Sequence, residues 1–128
     1  KLIKKLHKKE ELLVDGCHSE TSGKNLALYL KTLKKDTYGI WGMQKNKQPS
    51  RFIKEFKGIF KKIIVIKIPN EPNSCDPINL KSIANRYRIN CEVASSLNDG
   101  IKKISNKKEK VITAFGSLYL VGKILSLN

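Results

Sequence analysis

The sequence predicts an α/β domain: a mostly parallel sheet with helices on both faces. Three observations carry that prediction. Short apolar runs alternate with helical stretches, about five of each. One run, Lys62-Ile-Ile-Val-Ile-Lys-Ile68, is rich in β-branched residues, as in a strand covered on both sides. No linker and no internal repeat divides the 128 residues, so one domain spanning 1–128 with one real core is expected.

Taken in order, Glu11-Leu-Leu-Val-Asp15 is a short apolar strand that ends in an acid, and residues 16–22 read as a turn. Thr21-Ser-Gly-Lys24 opens a helix with Leu26, Leu28, Leu30 and Leu33 on its apolar stripe. Residues 37–41 form the next strand, which Gly42 breaks. Gln48-Pro-Ser50 starts a helix in which Phe52, Ile53, Phe56 and Ile59 recur at helical spacing. After the 62–68 strand, Pro69, Pro72 and Pro77 mark an irregular loop. A helix over 79–87 and a short strand over 91–93 follow. Ser95-Ser96 caps a helix carrying Leu97, Ile101 and Ile104. Residues 110–115 are the last strand, and Gly116-Ser117 turns into a helix bearing Leu118, Val121 and Leu125.

Composition narrows the function. Lys and Arg total 26 against 11 Asp and Glu, a formal charge of +15. A polyanion-binding surface is one reading. Compositional drift is the favoured one, because Lys, Asn and Ile, all with A/T-rich codons, make up 48 of the 128 residues. Arginine, the residue suited to bidentate base reading, occurs only three times. The stretch Lys4-Lys-Leu-His-Lys-Lys9 reads as a solvated basic face. The longest uncharged apolar runs, such as 63–66, fall far below the roughly 20 residues of a membrane span. The basic opening lacks a signal-peptide core. The chain starts at Lys1 rather than Met, and a fragment of a longer protein is expected.

The three cysteines, Cys17, Cys75 and Cys91, are widely spaced and form no C-x-x-C, so neither a zinc nor a thioredoxin-like site is supported. Reduced thiols in a cytosolic protein are expected. His7 and His18 make no metal site by themselves, and no acidic cluster suits magnesium.

Open α/β sheets bind ligands beyond the carboxyl ends of their strands. Asp15-Gly-Cys-His18, Gly42-Met-Gln-Lys45 and Gly116-Ser117 lie there. Asp15 can accept from a ribose hydroxyl, or merely cap the following helix. His18 can donate, accept or charge near neutral pH. Gly116 allows close backbone approach, and Ser117 is either an anion contact or a plain helix cap. Trp41 between two glycines reads as a core residue beside a turn rather than as part of a mobile ligand loop. No P-loop, G-x-G-x-x-G or G-x-S-x-G occurs. The chain holds at most half of an active site.

Four segments carry a resemblance. They are Leu12-Leu-Val-Asp-Gly-Cys-His18, Asn25-Leu-Ala-Leu-Tyr-Leu30, Gly39-Ile-Trp-Gly-Met-Gln-Lys-Asn-Lys47 and Ala114-Phe-Gly-Ser-Leu-Tyr-Leu-Val-Gly122. In this order they resemble the C-terminal domain of folylpolyglutamate synthase/dihydrofolate synthase, in the Mur ligase superfamily. The resemblance implies a Rossmann-like three-layer domain with about five or six strands. It implies a separate N-terminal P-loop domain, missing from this chain, that holds the magnesium ligands and most of the folate site. The implied reaction is ATP-dependent amide formation between L-glutamate and dihydropteroate or a folate, in the cytoplasm. By position, Asp15 and His18 are expected at ATP. His18, Gly116 and Ser117 are expected to face the glutamate or the γ-phosphate. No catalytic or metal-binding residue is expected in this domain. The family's Asn-Pro after the histidine is Ser19-Glu20 here. Two alternatives are carried: a basic, non-catalytic nucleic-acid-binding module, and the equivalent domain of a peptidoglycan Mur ligase.

Overall fold

A computed structural model describes the side chains of residues 10–104 and 108–126, and the backbone alone of residues 2–5. The chain runs β1 (Leu2–Lys5), β2 (Glu10–Asp15), α1 (Glu20–Thr32), β3 (Thr37–Trp41), α2 (Pro49–Ile53), β4 (Lys62–Val65), α3 (Pro77–Arg86), β5 (Cys91–Val93), α4 (Leu97–Ile104), β6 (Lys110–Phe115) and α5 (Leu118–Leu125). The described strands form one sheet in the order β1-β2-β6-β3-β4-β5. β1 is antiparallel to β2, and every other pair is parallel. This is the expected class.

The sheet buries both faces, and the period of two along each strand divides the core. Leu13, Trp41, Ile63, Val65 and Phe115 face α1, α2 and α3, where they meet Leu26, Phe52 and Leu80. Leu12, Val14, Ile40, Ile64 and Ile112 face the other way, towards Ile104 of α4 and Leu120 and Ile124 of α5. Burying one such side chain contributes about 1.5–3 kcal/mol. Trp41 is 0% exposed, so the core reading of this residue holds.

The differences from expectation have local causes. β1 is an added sixth strand: its basic Leu-Ile-Lys-Lys has no alternation that points to a sheet, and an edge strand needs little. Of the predicted basic face, residues 6–9, including His7, lie outside the described residues, as do the side chains of Lys4 and Lys5. The helix expected from Gln48 to Ile59 stops at Ile53 and tightens into a 3-10 turn over Lys54–Phe56. Gly58, at φ +79°, then completes the reversal. β4 leaves the ladder after Val65, yet Ile66 and Ile68 stay buried. Their amides donate to the Trp41 carbonyl at 3.0 Å and to Ser74 Oγ at 2.9 Å. α3 begins at Pro77, two residues earlier than expected, because Asp76 caps it by accepting from the Ile78 amide at 2.9 Å. Ser96 caps α4, accepting from the Asp99 amide at 3.1 Å.

Candidate functional site

The parallel register decides what meets at the ligand edge. Asp15, Phe115 and Trp41, the last residues of β2, β6 and β3, lie side by side across one row of the sheet. The turns that follow them are therefore neighbours, although they are far apart in sequence.

The first turn is fixed by its own polar groups. Asp15 Oδ1 accepts from the Cys17 amide at 3.0 Å. The Cys17 thiol is pushed far above the ordinary thiol range by burial, then by the Asp15 charge and by its hydrogen bond to that carboxylate. The helix cap is Ser19, not Asp15. Ser19 Oγ accepts from the Ser22 amide, and Ser22 Oγ accepts from the Ser19 amide, each at 3.1 Å. This capping box fastens a turn that lacks the family's Asn-Pro. Glu20, the other departure, pairs with Lys54 at 3.3 Å and so is turned towards a cation.

The turn after β6 shows why it reads Gly-Ser. Gly116 has φ +106°, and a methyl there would come within 2.5 Å of both the Gly42 carbonyl oxygen and Trp41 Cδ1. Its close approach is thus to the neighbouring turn. Ser117 is 3% exposed and caps α5, accepting from the Tyr119 amide at 3.0 Å and the Leu120 amide at 3.3 Å. Its hydroxyl proton remains able to donate. Behind it, Phe115 packs on Phe56 with ring centroids 4.8 Å apart and on Trp41 at 6.5 Å, which anchors the turn in the core.

The segment after β3 is held from outside the sheet. Lys45 N–H donates to the Asn73 carbonyl at 2.8 Å, and Cys75 N–H to the Met43 carbonyl at 2.7 Å. Asn73 Nδ2 donates to Asn46 Oδ1 at 3.3 Å. Gln48 takes a left-handed conformation, φ +46°, to enter α2. This path carries Lys47 and Arg51 to the site.

Two clefts result, and both are lined by His18 and Lys47. The smaller, about 90 Å³, lies between these two residues and the Gly116, Ser117 and Tyr119 stretch. The larger, about 230 Å³, lies between the start of α1 and Asn46, Gln48, Arg51 and Phe52. Three of the four predicted site residues, His18, Gly116 and Ser117, therefore come together. Asp15 stands behind them, lining neither cleft and bonded to Cys17. Sequence reasoning passed over Lys47 and Arg51. Lys47 closes the third resembling segment, and Arg51 is one of only three arginines; both were absorbed into the general basic composition. Among the described residues neither makes an ion pair. No group of three described His, Cys, Asp or Glu side chains could hold a metal ion. No described helix is long and apolar enough to cross a membrane.

A Rossmann-like sheet that gathers glycine turns, a histidine and cations without an ion-pair partner among the described residues at its carboxyl edge defines an α/β domain with a basic cleft at its ligand edge. Its lineage is specific: the chain belongs to the dihydrofolate synthetase C-terminal domain family, whose model matches residues 1–127. It is similar in structure to folylpolyglutamate synthase from Thermotoga maritima, with 26% identity and a TM-score of 0.79 over 98% of this chain and 29% of that one. The Mycobacterium tuberculosis folylpolyglutamate synthase complexed with ADP superposes with a TM-score of 0.82 at 17% identity, over 91% of this chain and 29% of that one. The bifunctional folylpolyglutamate synthase/dihydrofolate synthase with Mn, AMPPNP and L-glutamate bound gives 0.75 at 12% identity, over 97% of this chain and 30% of that one; the Yersinia pestis enzyme of that description gives 0.76 at 15%, with the same coverage. This chain thus spans under a third of the length of these proteins. No curated protein sequence matches it.

Proposed function

We propose that this chain is the closing C-terminal part of a cytoplasmic, ATP-dependent ligase that joins L-glutamate to dihydropteroate, to a folate, or to both. The observation that carries the reading is the convergence of His18, Lys47, Gly116 and Ser117, drawn from three separate family segments, on one cleft. The family match favours this reading over a nucleic-acid module and over the peptidoglycan branch. Three free, buried thiols fit a reducing compartment.

In the proposed reaction a phosphoryl group passes from ATP to a carboxylate oxygen of the acceptor, and ADP leaves. The glutamate amine then attacks the acyl carbon. The C–N bond forms, the bond to the phosphate oxygen breaks, and the nitrogen loses a proton. The part of this chain is electrostatic and positional. His18 stands between nucleotide and amino acid, and Lys47 beside it meets negative charge. Ser117, already accepting two amide bonds, donates its hydroxyl proton to an anion at the mouth of α5. Asp15 orders the His18 turn through Cys17. By the resemblance, Asp15 also meets the ATP ribose. Magnesium would screen the phosphates in such chemistry, and the family resemblance puts its ligands in a P-loop domain outside these residues.

The test is ADP release by the full-length protein. It should require both an acceptor acid and L-glutamate, and residues 1–128 alone should show none. Release that ignores glutamate would sink the reading. Asp15→Ala should weaken ATP use by about 1–3 kcal/mol, roughly ten- to a hundredfold in kcat/KM. Unchanged kinetics would remove Asp15 from the site.

A further inference from the structure

Trp41 carries a polar group that the fold does not use. The residue is 0% exposed, and its indole Nε1 has no hydrogen-bond partner. Buried indoles ordinarily donate, because an unmade bond leaves a desolvated N–H uncompensated. The aromatic residues packed on it, Phe52 and Phe115, are hydrocarbon rings, so packing alone does not call for an indole there. The polar edge is also aimed. A methyl at Gly116 would lie 2.5 Å from Trp41 Cδ1 and 2.9 Å from Nε1, so the N–H edge of the ring faces a glycine that lines the small cleft.

That glycine holds the complementary group. No described residue donates to the Gly116 carbonyl oxygen, whereas the carbonyls on either side are engaged. Phe115 accepts from the Gly42 amide at 3.3 Å, and Ser117 from the Val121 amide at 3.1 Å. An unused donor and an unused acceptor thus belong to touching residues, and the Gly116–Ser117 peptide plane decides whether they meet. This plane can turn while its anchored neighbours stay in place. Gly116 has no side chain to resist a change in ψ. Ser117, at φ −163°, has about 100° of allowed travel towards the helical value. In a trans peptide the C=O and N–H point opposite ways, so a carbonyl turned in onto Trp41 turns the Ser117 amide out to the cleft.

We propose that the Gly116–Ser117 peptide has this second position, that an oxyanion in the small cleft selects it, and that Trp41 is the positioning residue that holds it there. The anion accepts from the Ser117 amide at the mouth of α5, and the Gly116 carbonyl accepts from Trp41 Nε1. The Ser117 amide bond is the differential contact that lets the anion shift the equilibrium. The ligand is a carboxylate or a phosphate group. For that occupant the inference rests on the ligase reading, and the experiment keeps the two separable.

The experiment compares crystals of the full-length protein grown with inorganic phosphate, with ADP and magnesium, and with L-glutamate. In at least one, the Gly116 carbonyl oxygen should stand about 2.7–3.2 Å from Trp41 Nε1. Which ligand achieves this separates a phosphate from a carboxylate. Calorimetric titration of that ligand into Trp41→Phe, which keeps an aromatic ring and removes the donor, should show Kd raised about three- to tenfold. The melting temperature without ligand should change little, because no hydrogen bond is lost. A Trp41 that only packs gives the reverse, a lower melting temperature with Kd unchanged, and that result overturns the proposal. So does a peptide in one orientation in all three crystals, a measurement that needs no variant to fold. If the protein turns over no glutamate while phosphate still turns the peptide, the ligase reading fails and the second position stands. Glutamate-dependent ADP release with a fixed peptide does the opposite.

Discussion

At the start of β2 and β6, Glu10 and Lys110 are 0% and 2% exposed and joined at 3.2 Å. At the far end of the same strands, Lys47 and Arg51 border open clefts with no ion-pair partner among the described residues. The contrast separates two uses of charge in one lysine-rich chain. Glu10 and Lys110 are direct partners across the parallel ladder, and Lys110 Nζ also donates to the Ile104 carbonyl at 3.4 Å and sits 5.6 Å from the Tyr38 ring centre. The partners just named are internal to the fold, which suits a pair that serves register and packing at that end of the sheet. At the carboxyl edge the cations line clefts instead of pairing inside the fold. Net charge alone could not have told these apart.

The contrast can be broken most forcefully at its buried end. Glu10→Gln removes the carboxylate charge 3.2 Å from the buried Lys110 ammonium, and should cost about 3–5 kcal/mol in urea denaturation. Adding Lys110→Met should restore most of that loss, because removing both charges removes the desolvation problem. A single variant as stable as wild type would mean that water reaches the pair. Gly116→Ala comes next. It forces a side chain into φ +106° and into contact with the Gly42 carbonyl and Trp41, with an expected loss of about 2–4 kcal/mol. A loss near zero would show that the two turns can part. Ser117→Ala removes the α5 cap and should cost about 1 kcal/mol in the same assay. If Ser117 also donates to a ligand, the full-length Ser117→Ala variant loses more activity than this stability loss explains.

The sequence made the central strands legible because both faces of the sheet are covered, so β2, β3, β4 and β6 read as apolar runs between turn signals. β1 escaped notice because an antiparallel edge needs backbone pairing more than pattern. The early stop of α2 escaped because Phe52, Ile53 and Phe56 keep helical spacing through the change to a 3-10 turn. At the site, His18, Gly116 and Ser117 were visible because turns at strand ends have a fixed place in this topology. Lys47 and Arg51 were not. A lysine that borders a cleft and one that faces solvent look alike in a chain with 26 basic residues, and only the 73–75 bracing segment distinguishes them. Asp15 shows the reverse difficulty. Its place at the end of β2 is legible, but its bond to the Cys17 amide, with the thiol behind it, depends on local turn geometry.

The smallest effect belongs to that thiol. Cys17 is 7% exposed, and its pKa is raised by burial first and by Asp15 second. The folded state therefore keeps the proton at a pH where the unfolded chain has lost it. Its contribution to stability is fully present below the unfolded thiol value of about 8.5 and is lost as pH rises above that value. At pH 9 the loss amounts to about 0.8 kcal/mol relative to neutral pH, and it keeps growing until the pH reaches the raised folded value. Cys91, pushed up to about 12 by burial, and Cys75, shifted in the same direction, add slopes of the same sign. Comparison with Cys17→Ala isolates one slope from three. Urea midpoints between pH 7 and 9.5 should converge for the two proteins as pH rises, beyond any constant offset from the lost sulfur. Parallel curves would mean that Cys17 ionises as readily in the folded turn as in the unfolded chain, and then Asp15 is not the closed, thiol-bonded partner on which the geometry of His18 depends.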